Sequence, residues 1–178
     1  CELSMSQWAS AFAESGLGVS KTVGDLAGPC FFAALMGLSR VIYAKFGDRL
    51  NLLNAQLLSG VLCVGGYLLA ALSTVPLAAL LGCGLCGFSV GILWPGTFSV
   101  AARHLPAGGT AMFALLALFG DLGCSGGPTL VGMVSGAAGG SLKTGLLFAV
   151  VFPVFLMGAV LVCKAVLART GSQGGKTN

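Results

Sequence analysis

Residues 119–128 read FGDLGCSGGP and lie inside an apolar run from Met112 to Val134. A carboxylate, Asp121, stands in the middle of that run, among glycines and ahead of a proline. The run is long enough to cross the hydrocarbon of a bilayer, which takes about 20 apolar residues. Four more runs of that kind flank it, at Val23–Ala44, Leu53–Leu72, Val75–Val100 and Leu142–Leu167. Only 8% of the 178 residues are charged and 56% are hydrophobic. A water-soluble domain carries about 25% charged residues, so this chain cannot cover a water-facing surface and is read as a multi-pass membrane protein.

Helices are expected throughout. In lipid each backbone polar group must be satisfied within a helix or a closed barrel, and barrel strands alternate in polarity where these runs do not. The connections ESGLGVSK, FGDRLN, STVP, RHLPAGG and SGAAGGS carry turn and helix-breaking residues. Cys1–Ala13 is semi-apolar and too short to cross, and reads as the tail of a further helix. The chain starts without Met, and the expectation is that it is cut from something longer. Residues 1–168 are expected to form a helical bundle, and 169–178 a disordered cytoplasmic tail.

The charges sort by side. If the five runs alternate, Arg40, Lys45, Arg49, Arg103, Lys164, Arg169 and Lys176 fall on one face, and Lys21 and Lys143 on the other. Seven against two satisfies the positive-inside rule and puts the C-terminus in the cytoplasm, in a plasma membrane setting. The same scatter leaves no basic patch for nucleic acid.

Few residues can carry chemistry. Asp121 is near mid-membrane, where a charge costs about 2.5–3.5 kcal/mol on insertion scales. It is expected to face a cavity or partner, or to hold a proton. The alternative is a neutral Asp bonded to nearby backbone or Ser125. Gly127 and Pro128 just after it favour a break that would free polar backbone to line a solute path. The same holds for Trp94-Pro95-Gly96, where the indole offers a flat face for stacking or simply packs. Glu2 lies six residues before Trp8 in the N-terminal stretch. Asp25, near a span end, reads as a water-contacting helix start. Gly37-Leu-Ser-Arg40, with Asp48 and Arg49 in the FGDR turn, forms a cytoplasmic loop motif. There Arg40 either latches that face or snorkels.

Six of the seven cysteines lie in or at the edge of apolar runs and read as small hydrophobes. Cys83-x-x-Cys86 has no second pair to make a metal site. The single histidine, His104, sits in a loop. No nucleophile–base set, phosphate loop or metal motif is present, so neither enzyme activity, metal nor cofactor is expected. Glycine, 29 of 178 residues, recurs as Gly84-x-x-Gly87-x-x-x-Gly91, Gly123-x-x-Gly126 and Gly132-x-x-x-Gly136. Such spacing lets helix backbones touch.

Taken together, Glu2-Leu-Ser-Met-Ser-Gln-Trp8, Gly37-x-x-Arg40 with FGDR, Gly91-Ile-Leu-Trp-Pro95, and Gly120 followed by Gly126-Gly127-Pro128 resemble the C-terminal half of a major facilitator superfamily transporter. The branch they look like contains the fucose–proton symporters and related sugar carriers. The resemblance implies an all-α membrane fold, with five full transmembrane helices plus the end of a sixth forming the C-terminal six-helix bundle. It implies a missing N-terminal six-helix half and alternating access. The implied function is proton-coupled secondary transport of a small solute such as a sugar. Two rivals differ in class. One is a six-helix solute-capture subunit of an ATP-driven vitamin or metal importer. The other is a membrane-embedded lipid-modifying enzyme, which would need more clustered carboxylates or a His–metal set.

Topology is directly testable. In a cysteine-free background, single cysteines beside Lys45 and Lys176 should both be labelled by impermeant reagents from one compartment, and a cysteine beside Lys143 from the other.

Overall fold

In the computed structural model of the chain, residues 1–6, 9 and 20–174 are described. The all-helical expectation holds among them. Five helical segments are long and apolar enough to cross a membrane: Lys21–Phe46, Leu52–Leu72, Leu77–His104, Pro106–Ala137 and Lys143–Arg169. Two of the spans are interrupted, so the spans comprise seven helices: α1 (Lys21–Phe46), α2 (Leu52–Leu72), α3 (Pro76–Val90), α4 (Leu93–His104), α5 (Gly109–Ala137), α6 (Leu142–Ala149) and α7 (Val151–Gly174). A short helical stretch at 2–6 precedes them.

Local chemistry marks the ends. The Asn51 side chain accepts from the Asn54 amide at the start of α2, and Ser141 does the same for Thr144 at α6. Pro76 occupies the first turn of α3, where a missing N–H costs nothing. Between α5 and α6 the backbone turns through Gly139 and Gly140 at φ 69° and 82°. Only glycine takes that conformation cheaply.

Helix α2 is the hub. It packs against α3, α4, α6 and α7, while α1 packs on α3 and α5 on α6. The α2–α3 contact is backbone against backbone. A Cβ added at Gly66 would lie 2.9 Å from the Gly82 oxygen, and one added at Gly82 would lie 2.7 Å from the Ala70 nitrogen. The glycine series in α3 does the same for α1. Gly87 meets the Phe32 carbonyl at 2.6 Å, Gly91 meets that of Met36 at 2.7 Å, and Gly84 sits under Phe31. By contrast Gly123, Gly126, Gly132 and Gly136 on α5 have open space where a Cβ would point. The expected packing role of that second series is therefore absent among the described residues.

Lysines tie the two ends of α2 to the last span. Lys164 donates to Asn54 at 2.7 Å and Lys143 to the Ser73 carbonyl at 3.0 Å. The last span therefore runs antiparallel to α2, with Lys143 and Lys164 at opposite ends, as alternation requires. The helix α7 continues to Gly174, past the Arg169 boundary expected for a disordered tail. Extending an existing helix gains one hydrogen bond per residue fixed, so a polar end can follow an apolar span without a new nucleus. Residues 175–178 of that tail lie outside the described residues.

Gly66→Leu, which forces a side chain into the α2–α3 contact, should destabilise the detergent-solubilised protein by about 1–3 kcal/mol or more. Gly65→Leu, one residue along in open space, should not. Thermal unfolding followed by circular dichroism distinguishes the two.

Candidate functional site

The third span is broken at its centre. Gly91 and Ile92 form a turn between α3 and α4, 14 residues after Leu77 and 12 before His104. The cause is one turn further on. An α-helix bonds each N–H to the carbonyl four residues back, and Pro95 has no N–H to offer Gly91. The ladder resumes one residue later, with the Gly96 amide on the Ile92 carbonyl at 2.9 Å. Sequence reading put the break on Trp94-Pro95-Gly96 itself. Pro95 and Gly96 instead lie in the first turns of α4, and the opening precedes them.

The start of α4 is held by polar side chains that the sequence reading passed over. Gln56, 4% exposed, reaches across from α2. Its Nε2 donates to the Thr97 hydroxyl at 3.0 Å and to the Leu93 carbonyl at 3.4 Å. Thr97 in turn donates to that carbonyl at 2.8 Å. Tyr43 of α1 donates to Ser99 at 3.0 Å. The available signal was a lone Gln inside the apolar run Leu53–Leu72.

On the other side of α4 an aromatic row leads to α5. Trp94 and Phe98 have ring centroids 4.7 Å apart, and Phe98 stacks on Phe113 at 5.5 Å. The tip of the indole reaches Gly120, where an added Cβ would lie 2.5 Å from Trp94 Cη2. Trp94 thus rests on the residue before Asp121 and remains 44% exposed. The structure brings these two candidates to one place.

Helix α5 has three chemically distinct faces, since each residue turns the helix by about 100°. Phe113, Gly120 and Gly127 meet the bundle. Leu115, Phe119 and Leu122 are exposed and bulky, as a lipid-facing surface should be. Between them runs a stripe of small and polar residues, Ala117, Asp121, Cys124, Ser125 and Pro128. Asp121 is exposed there, and among the described residues its carboxylate has no recorded hydrogen-bond or ion-pair partner. The alternative of an Asp bonded to Ser125 is not what the structure contains. Neither is the break expected at Gly127-Pro128: α5 runs unbroken through Pro128. Gly123 and Gly126, just ahead of the proline, have open space beside them among the described residues.

The N-terminal stretch fills the centre of the bundle. Met5 and Ser4 are buried, the Cys1 carbonyl accepts from Tyr67 at 2.7 Å, and Cys83 meets Met5 at 3.2 Å. The Ser4 hydroxyl lies beside Gly127, and by distance and angle no hydrogen-bond partner is present among the described residues. Glu2 is half-buried at the same end, with Trp8 outside the described residues. Of the Cys83-x-x-Cys86 pair, Cys86 faces Cys63 instead, Sγ to Sγ 3.5 Å.

Among the described residues, no contact across the loop motif is formed by Arg40 or Gly37. Arg40 is exposed, and its recorded contact is with Met36 Sδ at 3.7 Å. Gly37 has open space around it, Arg49 is exposed in a 3-10 turn over Gly47–Arg49, and the Asp48 side chain lies outside the description. His104 is the last residue of α4, not a loop residue. Set against known proteins, the chain matches no family model, no curated protein and no solved structure.

Proposed function

We propose that this chain is one half of a secondary transporter of the major facilitator type. In that reading it pairs with a second six-helix bundle in the plasma membrane, with its C-terminus in the cytoplasm, and carries a small solute, a sugar or related metabolite, with protons. The observation that carries the reading is the polar stripe on α5. A membrane helix that faces lipid on one side and shows a carboxylate, a thiol and a hydroxyl on another has to meet water or a solute on that second side, because a charge in hydrocarbon is too costly. Trp94 borders the stripe and offers a partly open aromatic face. The broken helix beside it supplies backbone that need not stay in the ladder. A rocking motion of the two bundles would alternately open that face to each compartment.

Asp121 is the proton-carrying group in this account, Trp94 the solute contact, and Glu2 a second candidate. The test is uptake into vesicles holding the full-length transporter under an imposed pH gradient, with a panel of sugars and related metabolites. Asp121→Asn should abolish uphill accumulation while leaving solute exchange. Asp121→Glu should retain accumulation, and Trp94→Ala should weaken apparent affinity about tenfold, the weight of roughly 1.4 kcal/mol. Normal accumulation by Asp121→Asn across pH would rule out its coupling role.

A further inference from the structure

Two thiols touch inside the bundle. Cys63 of α2 and Cys86 of α3 stand 23 residues apart in sequence, and their sulfurs are 3.5 Å apart. Both side chains are fully buried, and both are free thiols. The glycine contact brings them together. A Cβ added at Gly66, one turn after Cys63, would lie 2.9 Å from the Cys86 amide nitrogen. A disulfide needs close backbones and sulfurs that face each other, and this pair has both.

The other cysteines are placed differently. Cys83, one turn before Cys86 on α3, has its sulfur on Met5 Sδ at 3.2 Å, and a thioether cannot make such a bond. Cys30 and Cys124 are exposed, and Cys1 and Cys163 are half-buried. Among the described residues no second thiol is recorded against any of these four.

Burial selects the reagent. Alkylating and chelating reagents that travel in water do not reach a fully buried pair inside a membrane. Hydrogen peroxide is uncharged, little larger than water, and crosses lipid. We propose that Cys63 and Cys86 are a redox-modification site, at which peroxide forms a reversible disulfide that staples α2 to α3. One thiol gives two electrons to the peroxide, whose O–O bond breaks, and the sulfur becomes a sulfenic acid as one water is released. The second thiol attacks that sulfur, the S–S bond forms, and the hydroxyl leaves with the thiol proton as a second water. A thiol already in contact intercepts the sulfenic acid before it oxidises further. The site belongs to the hub of the bundle and does not depend on transport.

The test uses the full chain in nanodiscs, treated with hydrogen peroxide, quenched with catalase and unfolded in a thiol-alkylating reagent. Mass spectrometry of the unreduced digest reads the links. A Cys63–Cys86 linked peptide should dominate, and a dithiol reductant should remove it. Cys83→Ser should keep the link. Cys63→Ala and Cys86→Ala should lose it, with helical circular dichroism equal to wild type. Oxidation should raise the unfolding midpoint of the wild type by roughly 5–10 °C, the effect of closing a loop of this length, and leave that of Cys63→Ala where it was. Recovery of Cys63 and Cys86 as alkylated thiols, a Cys83–Cys86 link in their place, sulfinic acid without a link, or a linked protein with an unchanged midpoint would each overturn the proposal.

Discussion

A peptide carbonyl inside hydrocarbon has no water to bond, so a proline in a membrane helix sets a problem that the rest of the protein must solve. Pro95 leaves the Gly91 carbonyl without its donor near the middle of the third span. The bundle solves it by ending one helix and starting another. Gln56 then reaches from α2 to hold Thr97 and the Leu93 carbonyl at the new start. α2 and α3 approach closely because Gly66 and Gly82 have no side chain to hold them apart. The upper half of the span is anchored by backbone contact and the lower half by hydrogen bonds, so each has its own attachment to the hub. Trp94, in the first turn of α4, is carried by the lower half and set on Gly120 of α5.

From this follows the division of labour among the spans. α1, α2 and α3 touch through glycines with little left over for chemistry. α5 is different: none of residues 109–126 is buried, and its contacts with α4 run through aromatic rings. A helix held so lightly can move against its neighbours, as one wall of a solute path must. Its exposed residues are sorted into a bulky apolar face and a small polar one, and Asp121 stands on the second.

How much of this was legible in the residues depends on the range of the interaction concerned. The five spans follow from run length and hydropathy, which are local, and their order and ends came out within a few residues. The side-to-side alternation follows from lysine and arginine placement and is echoed by Lys143 and Lys164 at the two ends of α2. The two glycine series looked alike in sequence. Only the fold separates them, since whether a glycine is needed depends on what stands opposite. Prolines were equally ambiguous. Pro95 opens its helix, whereas Pro29 and Pro128 sit inside continuous ones. An unforeseen interruption at Val150 precedes Pro153, which withholds the donor due to the Ala149 carbonyl, in the same register as Gly91 and Pro95. At the site, Asp121 and Trp94 stood out because each is costly or rare where it is. Their adjacency through Gly120 depends on a contact between different helices, which no local pattern encodes.

The central claim is that the Asp121 stripe of α5 meets water and solute while the face bearing Leu115, Phe119 and Leu122 meets lipid. Reactivity of single cysteines toward a membrane-impermeant thiol reagent, in the full-length protein without its native cysteines, measures this directly. The account predicts fast reaction at 117, 121, 124 and 125, slowed by transported solute, and little at 115, 119 and 122. Equal reactivity around the helix, or none on the stripe, would contradict it.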